Sequence, residues 1–272
     1  MVGKRKGEHM LHAPHVGYLA IVGLGPGQRD LMAPRAIQVI QEAELVIGYR
    51  VYLEQIHDLL SDKDVHVSEL THEVERATLA VQSASAGRRV CIVSSGDAGI
   101  YGMAGLVLDI FSRQSEEIAG NASPVLEPDI EVVPGISALN AASSLLGAPL
   151  MHDFAAISLS DLLTPWTTIA QRLSAVASAD FVVVLYNPIS RKRHWQLGEA
   201  RRLLLEHRAG TTSVGLVRNA YREGQKVQLT TLEHLLEYDI DMFTTVVIGN
   251  SCTRVRQGRM ITPRGYEQGH LL

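Results

Sequence analysis

Three times in the first half of the chain, a short apolar run stops at glycine and gives way to a helical pattern. Tyr18-Leu19-Ala20-Ile21-Val22 leads into Gly23-Leu24-Gly25-Pro26-Gly27. The run 89–94 leads into Ser95-Gly96-Asp97-Ala98-Gly99-Ile100-Tyr101-Gly102, and 130–133 leads into Pro134-Gly135-Ile136-Ser137-Ala138. Further short strands are expected at 44–48 and 65–67, with helical spacing at 30–44, 73–86 and 102–113. This alternation predicts an α/β fold with a parallel layer. Beyond Pro149 the pattern changes to strands at 155–159, 180–186, 213–217 and 244–248, with helices at 166–178 and 194–207, which predicts a mixed sheet. The break at Gly147-Ala148-Pro149 divides the chain into a tail (1–15), an N-terminal α/β domain (16–148) and a C-terminal α/β domain (149–272).

Composition removes several classes of function. Hydrophobic residues make up 46% and charged residues 20%, the balance of a globular chain rather than a disordered one. The formal net charge is −4 and aromatics are only 5%, so there is neither a global basic field nor a stacking platform, and no nucleic-acid partner is expected. The uncharged stretch 132–151 contains Pro134, Gly135, Asn140, Gly147 and Pro149, which suits a turn and a buried helix better than a bilayer span. No membrane partner is expected. The basic start, with His12 and His15, imitates a signal peptide but runs straight into the first glycine loop without a cleavage site. Two cysteines cannot form a disulfide framework; Cys91, inside an apolar run, reads as a buried thiol, and the chain reads as cytoplasmic. His72-Glu73 lacks the second histidine of a zinc motif, and no metal site is expected.

The loops are poor phosphate cradles. A dinucleotide fingerprint needs glycine or alanine where Gln28 stands, and Pro26 removes a backbone N–H. The second strand ends in Gly48-Tyr49-Arg50 instead of an acidic residue, which argues against a nicotinamide-dependent oxidoreductase. Glycines at strand carboxyl ends do allow a flat ligand to approach bare backbone, and three such loops argue for one cleft. Asp97 suits either an N-cap or a ligand-facing carboxylate.

Taken in order, Gly23-Leu24-Gly25-Pro26-Gly27, 96–102 and 133–138 resemble the three hallmark segments of the tetrapyrrole methylases, the S-adenosylmethionine-dependent enzymes of sirohaem and cobalamin synthesis. Longer strings at 48–53, 158–166, 186–193, 218–224 and 241–251 resemble the ring-contracting, C17-methylating branch, so the likeness covers about residues 17–266. It implies two α/β domains with S-adenosylmethionine between them, S-adenosylhomocysteine as product, and a homodimer. The cofactor contacts that it implies fall on Pro26, Gly96, Asp97, Ile100, Ser137, Ala138, Asn187 and Ala220. Many relatives carry methionine at the position of Asn187 and glycine at that of Ala220. The implied reaction is methylation of precorrin-3B at C17 with contraction to precorrin-4. The alternatives are the anaerobic reaction on a cobalt-bearing substrate and a non-catalytic tetrapyrrole-binding module.

Methyl transfer from a sulfonium is an in-line displacement that needs positioning more than a protein nucleophile. Ring contraction also needs a proton donor and acceptor. Asp161, with Ser158 and Ser160, is the candidate set, and the alternative for Asp161 is an N-cap of the following helix. The tetrapyrrole partner is a polycarboxylate, so local cations must receive it on a net-negative chain. Arg191, Lys192, Arg193 and Arg218, with Arg35 and Arg50, are candidates, and the competing reading of 191–193 is a solvated helix start. Gly25 is a further candidate at the substrate; Tyr101 and Tyr221 are candidates at the ring edges, and the alternative for both is a buried structural tyrosine with a satisfied hydroxyl.

Overall fold

The computed structural model describes residues 16–69, 71–119, 127–190 and 192–265, so the tail residues and Arg191 lie outside the described residues. The described chain divides into two compact units, with breaks at 24/25, 31/32 and 135/136. The stretch 25–31 groups with the second unit.

In the first unit, β1 (Tyr18–Gly23), β2 (Leu45–Tyr49), β3 (Asp64–Ser68), β4 (Arg89–Ser94) and β5 (Asp129–Val133) form one sheet in the order β3-β2-β4-β1-β5. Every pairing is parallel. The central strands are buried on both faces, and side chains alternate between two cores. Leu19, Ile21, Ile47 and Ile92 face α3 (Glu73–Ser85) and α4 (Ala104–Ala119). Ala20, Val22, Val46, Cys91 and Val93 face α1 (Pro34–Glu42) and α2 (Arg50–Glu54). Cys91 is fully buried, which pushes its thiol pKa well up and makes it a packing residue.

The helix expected over 30–44 is interrupted: a 3₁₀ turn covers Arg29–Leu31, and α1 starts at Pro34. Proline at the first helical position fixes φ and has no N–H to waste, so it sets that start.

The second unit contains α5 (Ala138–Leu146), β6 (Gly147–Ala148), β7 (Phe154–Ser158), α6 (Trp166–Ser178), β8 (Val182–Tyr186), α7 (Gln196–Leu205), β9 (Ser213–Arg218), β10 (Lys226–Thr231), β11 (Thr244–Ile248), β12 (Arg254–Arg256) and β13 (Arg259–Ile261). Its main sheet runs β10-β9-β11-β8-β7. The β7–β8 pair is parallel, and β11 runs antiparallel to both β8 and β9. Leu139, Ala142 and Leu146 of α5 cover one face with Val184, Val217 and Val247. Leu173 and Ala200, from α6 and α7, cover the other face with Leu185, Leu216 and Val246. Because α5 is built into this core, the unit begins ahead of Gly147-Ala148-Pro149.

β10 and the β12–β13 hairpin were not expected. β10 is an edge strand with no buried residue, so it shows no core pattern. The hairpin turns on Gln257 and Gly258, both at positive φ, and β13 pairs in parallel with β6. No helix among the described residues is long and apolar enough to cross a membrane.

Candidate functional site

β4, β1 and β5 are neighbours and all parallel, so the loops leaving their carboxyl ends must meet. A Cβ placed on Gly135 would lie 2.2 Å from the Gly96 carbonyl oxygen and 2.7 Å from the Gly23 carbonyl carbon. A Cβ on Gly23 would lie 2.6 Å from the Gly96 oxygen and 2.8 Å from the Gly135 nitrogen. The glycines therefore let three backbones close on one another. The expectation that they leave bare backbone for a flat ligand is corrected at Gly23 and Gly135, where the space is taken by neighbouring main chain.

Asp97 ties this junction. Its Oδ1 accepts from the Gly99 N–H at 2.8 Å and its Oδ2 from the Gly135 N–H at 3.0 Å. It is not a helix N-cap, since α4 starts only at Ala104. Gly102 is required because a Cβ there would lie 2.5 Å from the Ala98 oxygen. Beyond the junction, Ile100 is 38% and Tyr101 is 55% exposed, and Tyr101 has left-handed φ of 53°. Tyr101 is thus no buried structural tyrosine. Ser94, at the end of β4, is buried, and its Oγ has no hydrogen-bond partner.

In the second unit, Arg222 Nε donates to the carbonyl oxygen of Pro26, and Gly25 takes φ of 74° with Leu31 oxygen 2.8 Å from where its Cβ would be. Ser137 is buried and N-caps α5, its Oγ accepting from the Asn140 N–H at 3.5 Å and donating to Asn140 Oδ1 at 2.5 Å. The Leu139 N–H, in the first turn of the same helix, donates to Tyr186 Oη at 2.9 Å. Ala138 lies half-buried between them.

The chain after β8 and β9 is held in left-handed conformations that favour glycine: Asn187 at 52°, Asn219 at 50° and Tyr221 at 56°. Such residues gather where surrounding structure over-determines the backbone, often at ligand sites. Ala220 is half-buried between two of them. The Tyr221 hydroxyl lies 2.9 Å from Ser144 Oγ.

Of the candidate proton-transfer residues, Ser158 and Ser160 are joined, while Asp161 pairs with Gln196. Ser158 Oγ accepts from Asn187 Nδ2 at 3.0 Å and from the Ser160 N–H at 3.2 Å. Asp161 Oδ2 accepts from Gln196 Nε2 at 2.9 Å. The N-cap alternative for Asp161 is not met: α6 starts at Trp166, and its N-cap is Pro165, with no side-chain cap.

The cations divide. Arg193 turns inward, its Nη2 donating to the Asn187 carbonyl at 2.5 Å. Burial lowers its pKa, opposed by the nearby Asp161 charge. Arg218 Nε pairs with Asp241 Oδ2 at 2.8 Å, and Arg35 makes a two-pronged pair with Glu131. Arg50 lies 3.5 Å from Glu69 on the surface, and Lys192 is exposed. The run at 192–193 precedes α7, which starts at Gln196, so neither residue is a helix-start face. Sequence reasoning missed Arg222, Tyr186 and Gln196, whose partners lie too far along the chain for any local pattern to reveal them.

The sequence profile of the tetrapyrrole (corrin/porphyrin) methylases matches residues 18–236. The chain is 47% identical over 256 residues to the cobalt-factor III methyltransferase of Priestia megaterium, spanning 94% of this chain and 46% of that protein. It is 45% identical over 248 residues to a probable cobalt-factor III C(17)-methyltransferase of Salmonella typhimurium, spanning 91% of this chain and 99% of that one. The solved structure of the methyltransferase CobJ aligns with TM-score 0.82 and 33% identity, covering 91% of this chain and 100% of CobJ. A uroporphyrin-III C-methyl transferase from Thermus thermophilus, complexed with S-adenosyl homocysteine, shares the fold at TM-score 0.64 and 23% identity. Loop order, profile and identity agree, and the chain belongs to the tetrapyrrole methylase family.

Proposed function

We propose that this chain is a C17-methyltransferase of cobalamin biosynthesis that uses S-adenosylmethionine and contracts the macrocycle it methylates. The observation that carries this reading is the 45% identity over 99% of a probable cobalt-factor III C(17)-methyltransferase. The relatives at 47% and 45% both carry cobalt-factor III in their names, which favours a cobalt-bearing substrate over metal-free precorrin-3B.

When bound, S-adenosylmethionine supplies an electrophilic methyl group on a sulfonium. In this reading the chain's own residues bind and orient it, and the candidates are Pro26, Gly96, Asp97, Ile100, Ser137, Ala138, Asn187 and Ala220. Asp97 also holds the loops in place, its two oxygens accepting from Gly99 and Gly135. Asp161 holds or moves the proton that contraction requires, with Gln196 fixing one of its oxygens, and Ser158 and Ser160 complete the candidate set. Tyr101 and Gly25 stand at the macrocycle, and the exposed Lys192 is a candidate to meet a substrate carboxylate, since Arg193 and Arg218 already have partners. The reading includes a cytoplasmic homodimer, for which the highly exposed Leu162 and Leu163 offer apolar surface.

Calorimetry tests the cofactor. S-adenosylhomocysteine is expected to bind once per chain and NAD not at all, whereas binding of NAD alone would overturn the reading.

A further inference from the structure

The turn that follows β8 must keep Asn187, a residue with a Cβ, in the left-handed region at φ of 52°. Asparagine tolerates that region better than most residues, yet the conformation persists only where neighbours enforce it. Two restraints act on it. Its side-chain Nδ2 donates to Ser158 Oγ at the end of β7, 3.0 Å away. Its carbonyl accepts from the Arg193 guanidinium at 2.5 Å.

Arg193 is itself locked. Its backbone pairs reciprocally with Ser190, N–H to carbonyl at 2.9 Å and 3.1 Å, which closes a tight loop and aims the side chain back at residue 187. The Nε atom is buried as well, so the guanidinium is packed into the protein rather than extended into solvent. A planar guanidinium with a fixed donor fork holds a carbonyl more rigidly than a lysine ammonium can.

We infer that Arg193 is a positioning residue for cofactor binding: it fixes the Asn187 turn, and through Asn187 it couples the ends of β8 and β7. This rests on the proposed function, in which Asn187 meets S-adenosylmethionine. It replaces the expectation that Arg193 receives a substrate carboxylate.

The test compares the full-length wild type with Arg193→Met, Arg193→Lys, Ser158→Ala and the Arg193→Met/Ser158→Ala double variant. The dissociation constant for S-adenosylhomocysteine is measured by calorimetry, alongside KM for the tetrapyrrole. Arg193→Met is expected to weaken S-adenosylhomocysteine about tenfold or more while moving the tetrapyrrole KM much less. Arg193→Lys, which keeps one donor, is expected to recover part of the loss. Ser158→Ala is expected to weaken the same ligand, and the double variant to lose less than the product of the two single effects, as members of one chain of contacts do. If Arg193→Met fails to fold, the lysine and Ser158→Ala variants still report on cofactor affinity. A raised tetrapyrrole KM with unchanged S-adenosylhomocysteine affinity would return Arg193 to the substrate and overturn the inference. Unchanged values for both ligands would overturn it too. Wild-type protein that does not bind S-adenosylhomocysteine would remove the functional reading first, and the inference with it.

Discussion

At the scale of single residues, charge is spent mostly on holding the chain together. The Glu131 carboxylate accepts from Arg35 and from the Tyr18 hydroxyl, and these donors hold its pKa down at about 2, against an ordinary 4.5. Burial and the neighbouring carboxylate push Tyr18 up to about 12. Because the folded value of Glu131 lies below the ordinary one, its contribution is complete above about pH 4.5 and fades as pH falls towards 2. Both side chains of the pair are partly exposed, so solvent screening limits the cost of Glu131→Gln to about 1 kcal/mol at neutral pH. Urea unfolding is expected to show that gap near pH 7 and a smaller one near pH 3. Asp161 carries the chemical prediction. Asp161→Asn keeps an oxygen for Gln196 but loses the titrating group, so turnover is expected to fall by about 100-fold or more. Its affinity for S-adenosylhomocysteine should change little. Ring contraction at the wild-type rate would remove Asp161 from the mechanism.

At the scale of elements, the loops are defined by what their glycines exclude. Gly135→Ala must push the Gly96 and Gly23 main chains apart, at a cost of at least about 2 kcal/mol. Gly105, inside α4, has nothing within 4 Å of an added Cβ. Gly105→Ala should therefore stabilise by up to about 0.5 kcal/mol, because alanine loses less backbone freedom even in the first turn of a helix. Chemical denaturation of the two variants checks both signs. The same elements show how much could be read beforehand. Strands buried on both faces, such as β1, β4 and β8, announce themselves as unbroken apolar runs, and α6 matches its expected range of 166–178. The edge strand β10 carries Lys226, Gln228, Thr230 and Thr231, which hide it among loop residues. Pro34 and the Gln257-Gly258 pair were local signals for a helix start and a hairpin, and they mark α1 and the β12–β13 turn.

At the scale of the molecule, the order of three loops along the sequence was enough to reach the family, because parallel pairing of β4, β1 and β5 brings their carboxyl ends together whatever the helices contain. The polar chemistry was much less legible. Asp161 finds Gln196 across 35 residues, Arg218 finds Asp241 across 23, and Arg222 finds Pro26 across 196. None of these pairs leaves a trace in local spacing. Charged residues that looked available for a polycarboxylate, Arg35 and Arg218 among them, are committed to carboxylates of the chain itself. The proposed methyl transfer to C17 of a contracting macrocycle is tested by incubating the protein with S-adenosylmethionine labelled in its methyl group and either cobalt-factor III or metal-free precorrin-3B, then locating the label by mass and NMR spectroscopy. The label is expected at C17 of a ring-contracted product, faster with the cobalt-bearing substrate. Label on another carbon, or none in either macrocycle, would contradict the account.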